Sequence, residues 1–113
     1  MRILPKIFGD KAESLAVAFL EEEGFRIIER NYFARKLGEI DIIAQKDEVI
    51  HFVEVKGGQG SFEPSYNLTP AKLRKVIKSS QYYMKIKNLD QAFCIDALLV
   101  RDDEVEFIEN ITL

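Results

Sequence analysis

The chain has 113 residues and a net charge of −3, from 16 Lys and Arg against 19 Asp and Glu. That length suits a single domain, residues 1–113, with a core that needs neither disulfides nor a structural metal. One cysteine and one histidine exclude an intramolecular disulfide, a multi-cysteine zinc site and any His-pair metal motif. They also weigh against a Ser-His-Asp triad.

At 47% hydrophobic and 31% charged residues, the composition is that of an ordinary globular protein. Apolar runs fall well short of the roughly 18 residues that a membrane span needs. The start, Met1 to Phe8, lacks a sustained apolar core and a small-residue cleavage site, so it is not read as a signal peptide. A lone Cys94 suits a reducing compartment, and the expected location is the cytoplasm. The mild acidity weighs against coating nucleic acid by bulk charge and leaves a local basic face open.

In chain order, Ala12, Leu15, Ala16, Phe19 and Leu20 form one apolar stripe and predict a helix from about Asp10 to Glu23. Asp10 is its expected N-cap and Gly24 its stop. Glu13 lies at the border of that stripe, where an exposed acid also favours the helix dipole. Phe25–Tyr32 predicts a strand with Arg26 and Arg30 on one face, followed by a basic connection over 33–37. Two strands are expected next, Gly38–Ala44 and Val49–Lys56, joined by a turn at Gln45–Glu48. Residues 57–68 read as one long polar loop, of the kind often found at functional sites. Its glycines do not lead into a Gly-Lys-Ser/Thr signature, so no P-loop is expected.

Thr69-Pro70 is a strong helix start, and the helix should run to about Ile86. Its polar side is basic, with Lys72, Arg74, Lys75, Lys78 and Lys85. Arg74, Lys78 and Lys85 fall on a single ridge, either a solvated face or a phosphate-binding one. Strands are expected at Phe93–Arg101 and Glu104–Glu109. Cys94 reads as a core residue. Asp96 either pairs with a basic group or supports a site.

The informative stretch is the central strand pair. Both strands are apolar on both faces, the pattern of burial on both sides, yet they carry Asp41, Glu54 and Lys56. A buried charge must be paired or must hold a metal. A tight turn places Asp41 and Glu54 side by side, and two carboxylates at about 4 Å repel by roughly 4 kcal/mol at an effective dielectric of about 20. Lys56, on the Glu54 face, offsets part of that. Mg²⁺ or Mn²⁺, which take carboxylate oxygens, offset more.

The blocks Gly38-Glu39-Ile40-Asp41 and Val53-Glu54-Val55-Lys56, with Gly9–Glu13, Arg30-Asn31-Tyr32, Thr69-Pro70 and Phe93…Ile95-Asp96, resemble the YraN family of small predicted endonucleases. They also resemble the wider PD-(D/E)xK nuclease superfamily and the archaeal Holliday-junction resolvases. The resemblance covers nearly the whole chain. It implies an α/β, restriction endonuclease-like fold: a mixed central sheet flanked by helices, in the order α-β-β-β-α-β-β. It further implies that Asp41, Glu54 and the Val55 carbonyl bind Mg²⁺ or Mn²⁺, that Lys56 positions water, and that Glu13 completes the acidic cluster. Gly58 stands where the family usually has a basic residue, so a phosphate contact would come from elsewhere, such as Lys72 or Arg74.

The expected function is metal-dependent hydrolysis of phosphodiester bonds in DNA, including branched or damaged DNA. Lys72, Arg74, Lys75 and Lys78 would hold the nucleic acid, and a homodimer would cut both strands. The alternatives are a nucleic-acid-binding module without turnover and a partner-binding domain in which Lys56 only neutralises the carboxylates.

Overall fold

The computed structural model describes residues 5–58, 69–102 and 104–112. The elements are α1 (Pro5–Glu22), β1 (Arg26–Phe33), a short 3-10 turn (Arg35–Leu37), β2 (Glu39–Lys46), β3 (Val49–Gly58), α2 (Pro70–Ile86), β4 (Phe93–Arg101) and β5 (Glu104–Ile108). The five strands form one mixed sheet in sequence order. Only the β3–β4 pair is parallel, because those strands are joined through α2 rather than by a hairpin.

The helices cover opposite faces. Ala12, Ala16 and Leu20 of α1 pack with Ile42, Ala44, Val53, Leu98 and Val100. Val76, Tyr83 and Met84 of α2 pack with Ile43, Ile50, Phe52 and Ile95. Both helices end alike. Phe25 N–H bonds to Leu20 C=O and Gly24 N–H to Glu21 C=O, a Schellman cap that needs the left-handed backbone of Gly24 (φ 96°). Asn88 plays that part after α2.

Three expectations are corrected. Helix α1 begins at Pro5, not Asp10: proline suits the first helical position, and Asp10 lies inside the helix where it cannot cap it. Gly57 and Gly58, expected to open a loop, instead extend β3 and pair with Val100 and Arg101. A Cβ on Gly57 would come within 2.4 Å of the Ala12 Cβ, so this glycine lets α1 approach the strand. The remainder of that expected loop lies outside the described residues. Finally, Arg26 and Arg30 do not share a face. The β1–β2 register shifts between Ile27 and Glu29, and such a bulge reverses which side later residues point to. Arg26 hydrogen-bonds Gln45, while Arg30 reaches Glu13 on α1.

Candidate active site

The β2–β3 hairpin turns through Asp47 and Glu48, both with positive φ, as a two-residue hairpin loop requires. Its ladder runs from Lys46 opposite Val49 to Ile42 opposite Val53. The next positions in register are Asp41 and Glu54. Alternation along β2 also breaks here: Ile42 packs on the α1 side, while Ile40 joins the α2 side. Just beyond the ladder, Asp41 Oδ2 takes the Val55 backbone N–H at 2.8 Å.

Asp41 and Glu54 then meet, close enough for each carboxyl to act on the other's ionisation. Burial, followed by the Asp41 charge, pushes Glu54 up to about 8. Burial also raises Asp41, against the pull of the Val55 N–H. Near neutral pH the metal-free pair therefore retains a proton. Glu54 is 6% exposed, and its Oε2 is buried without a hydrogen-bond partner among the described residues. Such an orphaned oxygen is costly unless something else satisfies it.

The pair lines a cleft of about 420 Å³, with Glu39, Lys56, Lys72, Lys75 and Ser79 among its walls. Ser79 Oγ is likewise buried and unpartnered among the described residues. The cation acting on both carboxyls is Lys72, from α2. Lys56 lines the cleft but is exposed. Lys72, Lys75 and Ser79 lie on one face of α2. At about 100° per residue, Arg74 points well round toward the far side and Lys78 sits roughly a quarter-turn away, and neither is among the cleft's lining residues.

Glu13 also stands apart from direct contact. It pairs with Arg30 at 2.9 Å and accepts from Asn31 at 3.4 Å, yet its charge is felt at Asp41. Val55 lines the cleft. Asp96 does not join this site: it lies on the α1 side of the sheet, bonded to His51 and to the Asn110 N–H.

Beside the cleft lies an apolar shelf of Phe33, Ala34, Leu37 and Tyr82, flanked by Arg35 and Lys36, around a hollow of about 440 Å³. Phe33 is 71% exposed, and the Arg35 Nε–H donates to the Tyr82 hydroxyl at 3.0 Å. The shelf adjoins the cleft through Leu37–Gly38 on one side and, one turn along α2, through Ser79 and Tyr82.

A family profile described as "Uncharacterised protein family UPF0102" matches residues 12–100. The chain belongs to the UPF0102 family. It is similar to a UPF0102 protein of Sulfurovum, 72% identical over the full length of both chains. A Wolinella succinogenes member is 59% identical over 93% of this chain and 95% of its own. One from Helicobacter hepaticus is 55% identical over 93% and 94%. The UPF0102 match spans Glu13, Asp41, Glu54, Lys56, Lys72 and Lys75. No helix among the described residues is long and apolar enough to cross a membrane.

Proposed function

We propose that this UPF0102 protein is a divalent-metal-dependent nuclease that hydrolyses phosphodiester bonds in DNA, built on a restriction endonuclease-like α/β core. The observation that carries this reading is the buried Glu54 Oε2, unpartnered among the described residues and set against Asp41 in a lysine-lined cleft. An all-oxygen donor set fits a hard cation, Mg²⁺ or Mn²⁺.

Asp41 and Glu54 would hold the ion. The Val55 carbonyl would be a further ligand, because a strand residue's C=O points to the same side as its N–H, and that N–H faces Asp41. The bound ion would acidify water and offset phosphate charge. Lys56 would orient the water that attacks phosphorus and stabilise the charge that builds on the phosphate oxygens. Lys72 and Lys75 would hold flanking phosphates. They stand in for the basic residue that Gly58 replaces. Phe33 offers a face for an unstacked base, with Arg35 and Lys36 beside it for its phosphate. In the net reaction a P–O bond forms to water, the P–O bond to the sugar oxygen breaks, and that oxygen takes the proton.

Single-stranded, duplex and branched DNA, and RNA, offered with Mg²⁺ or Mn²⁺, test the reading. Metal-dependent cleavage should disappear in Asp41→Ala and fall sharply in Lys56→Ala. Cleavage that survives both changes would discard the site. A second reading, a binding module without turnover, draws on Gly58 and on Lys56, which is exposed and forms no ion pair with either carboxyl among the described residues. It predicts retained DNA binding with no cut strand under any metal.

A further inference from the structure

The side chains His51, Cys94 and Asp96, unused by the cleft, meet on the other face of the sheet. The parallel register sets His51 of β3 opposite Cys94 of β4, and Asp96, two residues on, shares the Cys94 face. His51 Nδ1 lies 2.6 Å from Asp96 Oδ2 and 3.2 Å from Cys94 Sγ. Cys94 Sγ is 3.4 Å from Asp96 Oδ1. His51 and Asp96 are buried, and Cys94 is partly so.

A Cys-His-Asp nucleophile needs the thiol at one ring nitrogen and the carboxylate at the other, so that the ring can relay a proton. Here both groups meet the same nitrogen, Nδ1, and no relay exists. What the cluster does present is one nitrogen, one sulfur and one oxygen, all within 4.8 Å of one another.

We infer that His51, Cys94 and Asp96 form a binding site for a borderline transition-metal dication of the Zn²⁺ class, distinct from the oxygen-lined cleft. Zinc takes imidazole, thiolate and carboxylate at about 2.0–2.3 Å in tetrahedral geometry, which sets its ligand atoms roughly 3.2–3.8 Å apart. The distances from Cys94 Sγ to His51 Nδ1 and to Asp96 Oδ1 already fit. The other carboxylate oxygen, Oδ2, hydrogen-bonds His51 Nδ1 at 2.6 Å and has to withdraw by at least about half an ångström as that bond gives way to ligation. The Cys94 thiol gives its proton to solvent on binding, so thiolate and carboxylate together neutralise the dication, as a buried site requires. The fourth position is left to water.

The surroundings suit ligation. The Asn110 N–H holds Asp96 Oδ1 at 2.8 Å, and the Phe25 ring packs edge-on against His51 at 4.8 Å. These contacts fix ligand orientation in the way outer-shell groups do at metal sites. A bound ion would clamp β3 to β4 and, through Asp96, to the segment at Asn110. Donor hardness keeps the two sites apart: sulfur and nitrogen here favour Zn²⁺, and oxygen alone in the cleft favours Mg²⁺ or Mn²⁺.

Co²⁺ titration of the full chain, reduced and stripped of metal, is the test. A thiolate-to-cobalt charge-transfer band should saturate, be displaced by Zn²⁺, and vanish in Cys94→Ser and His51→Gln. It should persist in Asp41→Ala, whose cleft holds no thiolate. Zn²⁺ should raise the melting temperature of the parent chain and of Asp41→Ala, but not of Cys94→Ser. If His51→Gln fails to fold, Cys94→Ser carries the comparison through the melting shift. No band with excess Co²⁺, a band untouched in His51→Gln, or an equal Zn²⁺ shift in Cys94→Ser would each overturn the site.

Discussion

Asp41 Oδ2 accepts the Val55 N–H at 2.8 Å, so a side chain takes over from the backbone ladder of the central hairpin. That hydrogen bond holds the Asp41 carboxyl beside Glu54, whose Oε2 is buried and unpartnered among the described residues. Local strand geometry thus becomes a pair of acids with an unmet demand for positive charge.

The first prediction concerns pH. Glu54 is pushed from its ordinary 4.5 to about 8, chiefly by burial. Between those values the folded state binds more protons than the unfolded one, so stability falls as pH rises. For this group alone, stabilisation is complete below about pH 4.5 and is lost through about pH 8, at up to about 1.4 kcal/mol per pH unit. Urea midpoints of metal-free protein should decline across that window. The decline should flatten in Glu54→Gln, and Mg²⁺ or Mn²⁺ should reverse it at the alkaline end. A parent profile as flat as that of Glu54→Gln would mean that the pair is not coupled as described.

The second prediction separates the faces of α2. Lys72 acts on both carboxyls and lines the cleft with Lys75, while Arg74 and Lys78 turn away. Lys72→Ala and Lys75→Ala should weaken DNA binding. Each should flatten the slope of log K against log salt by about 0.9 for every duplex phosphate that is no longer neutralised. Arg74→Ala and Lys78→Ala should change it little. The opposite ranking would move the nucleic acid to the ridge of Arg74, Lys78 and Lys85.

The same contrast separates what is legible in the sequence from what is not. Asp41, Glu54 and Lys56 announce themselves because each puts charge into an apolar strand, and a two-residue turn makes the acids neighbours. Five strands and two helices follow from equally local signals: periodicity, Thr69-Pro70 and Gly24. The face of α2 that meets the acids depends on packing. Arg74 and Lys78 are as basic as Lys72 and Lys75, though the latter precede buried Val76 and Ser79 by one turn. The bulge in β1 has no such signal, so the facing of Arg30 toward Glu13 is invisible until the register is known. Likewise, His51 meets Cys94 and Asp96 only through the parallel β3–β4 register, which joins residues far apart in the chain.

The third prediction tests how closely α1 sits on the sheet. A methyl group on Gly57 would come within 2.4 Å of the Ala12 Cβ, which belongs to a packed helix and cannot swing aside. Gly57→Ala should cost about 1–3 kcal/mol by overpacking, read as a lower urea midpoint. Because Ala12 precedes Glu13 and Gly57 follows Lys56, the same change should also lower cleavage per folded molecule. An unchanged midpoint would mean that α1 is free to shift outward.

The fourth prediction concerns Phe33, which is 71% exposed on a shelf that adjoins the cleft. Apolar exposure of this size beside Arg35 and Lys36 suits an unstacked base followed by its phosphate. Stacking on an aromatic ring contributes about 1–3 kcal/mol per base, so Phe33→Ala should weaken binding to single-stranded or branched DNA by roughly 10-fold. Blunt duplex, whose bases are already stacked, should bind almost as before. The measurement is competition binding of the two substrate types at one salt concentration, because charge interactions vary with salt and stacking far less. Equal losses on both substrates would assign Phe33 a packing role, and no loss on either would leave the shelf outside the nucleic-acid path.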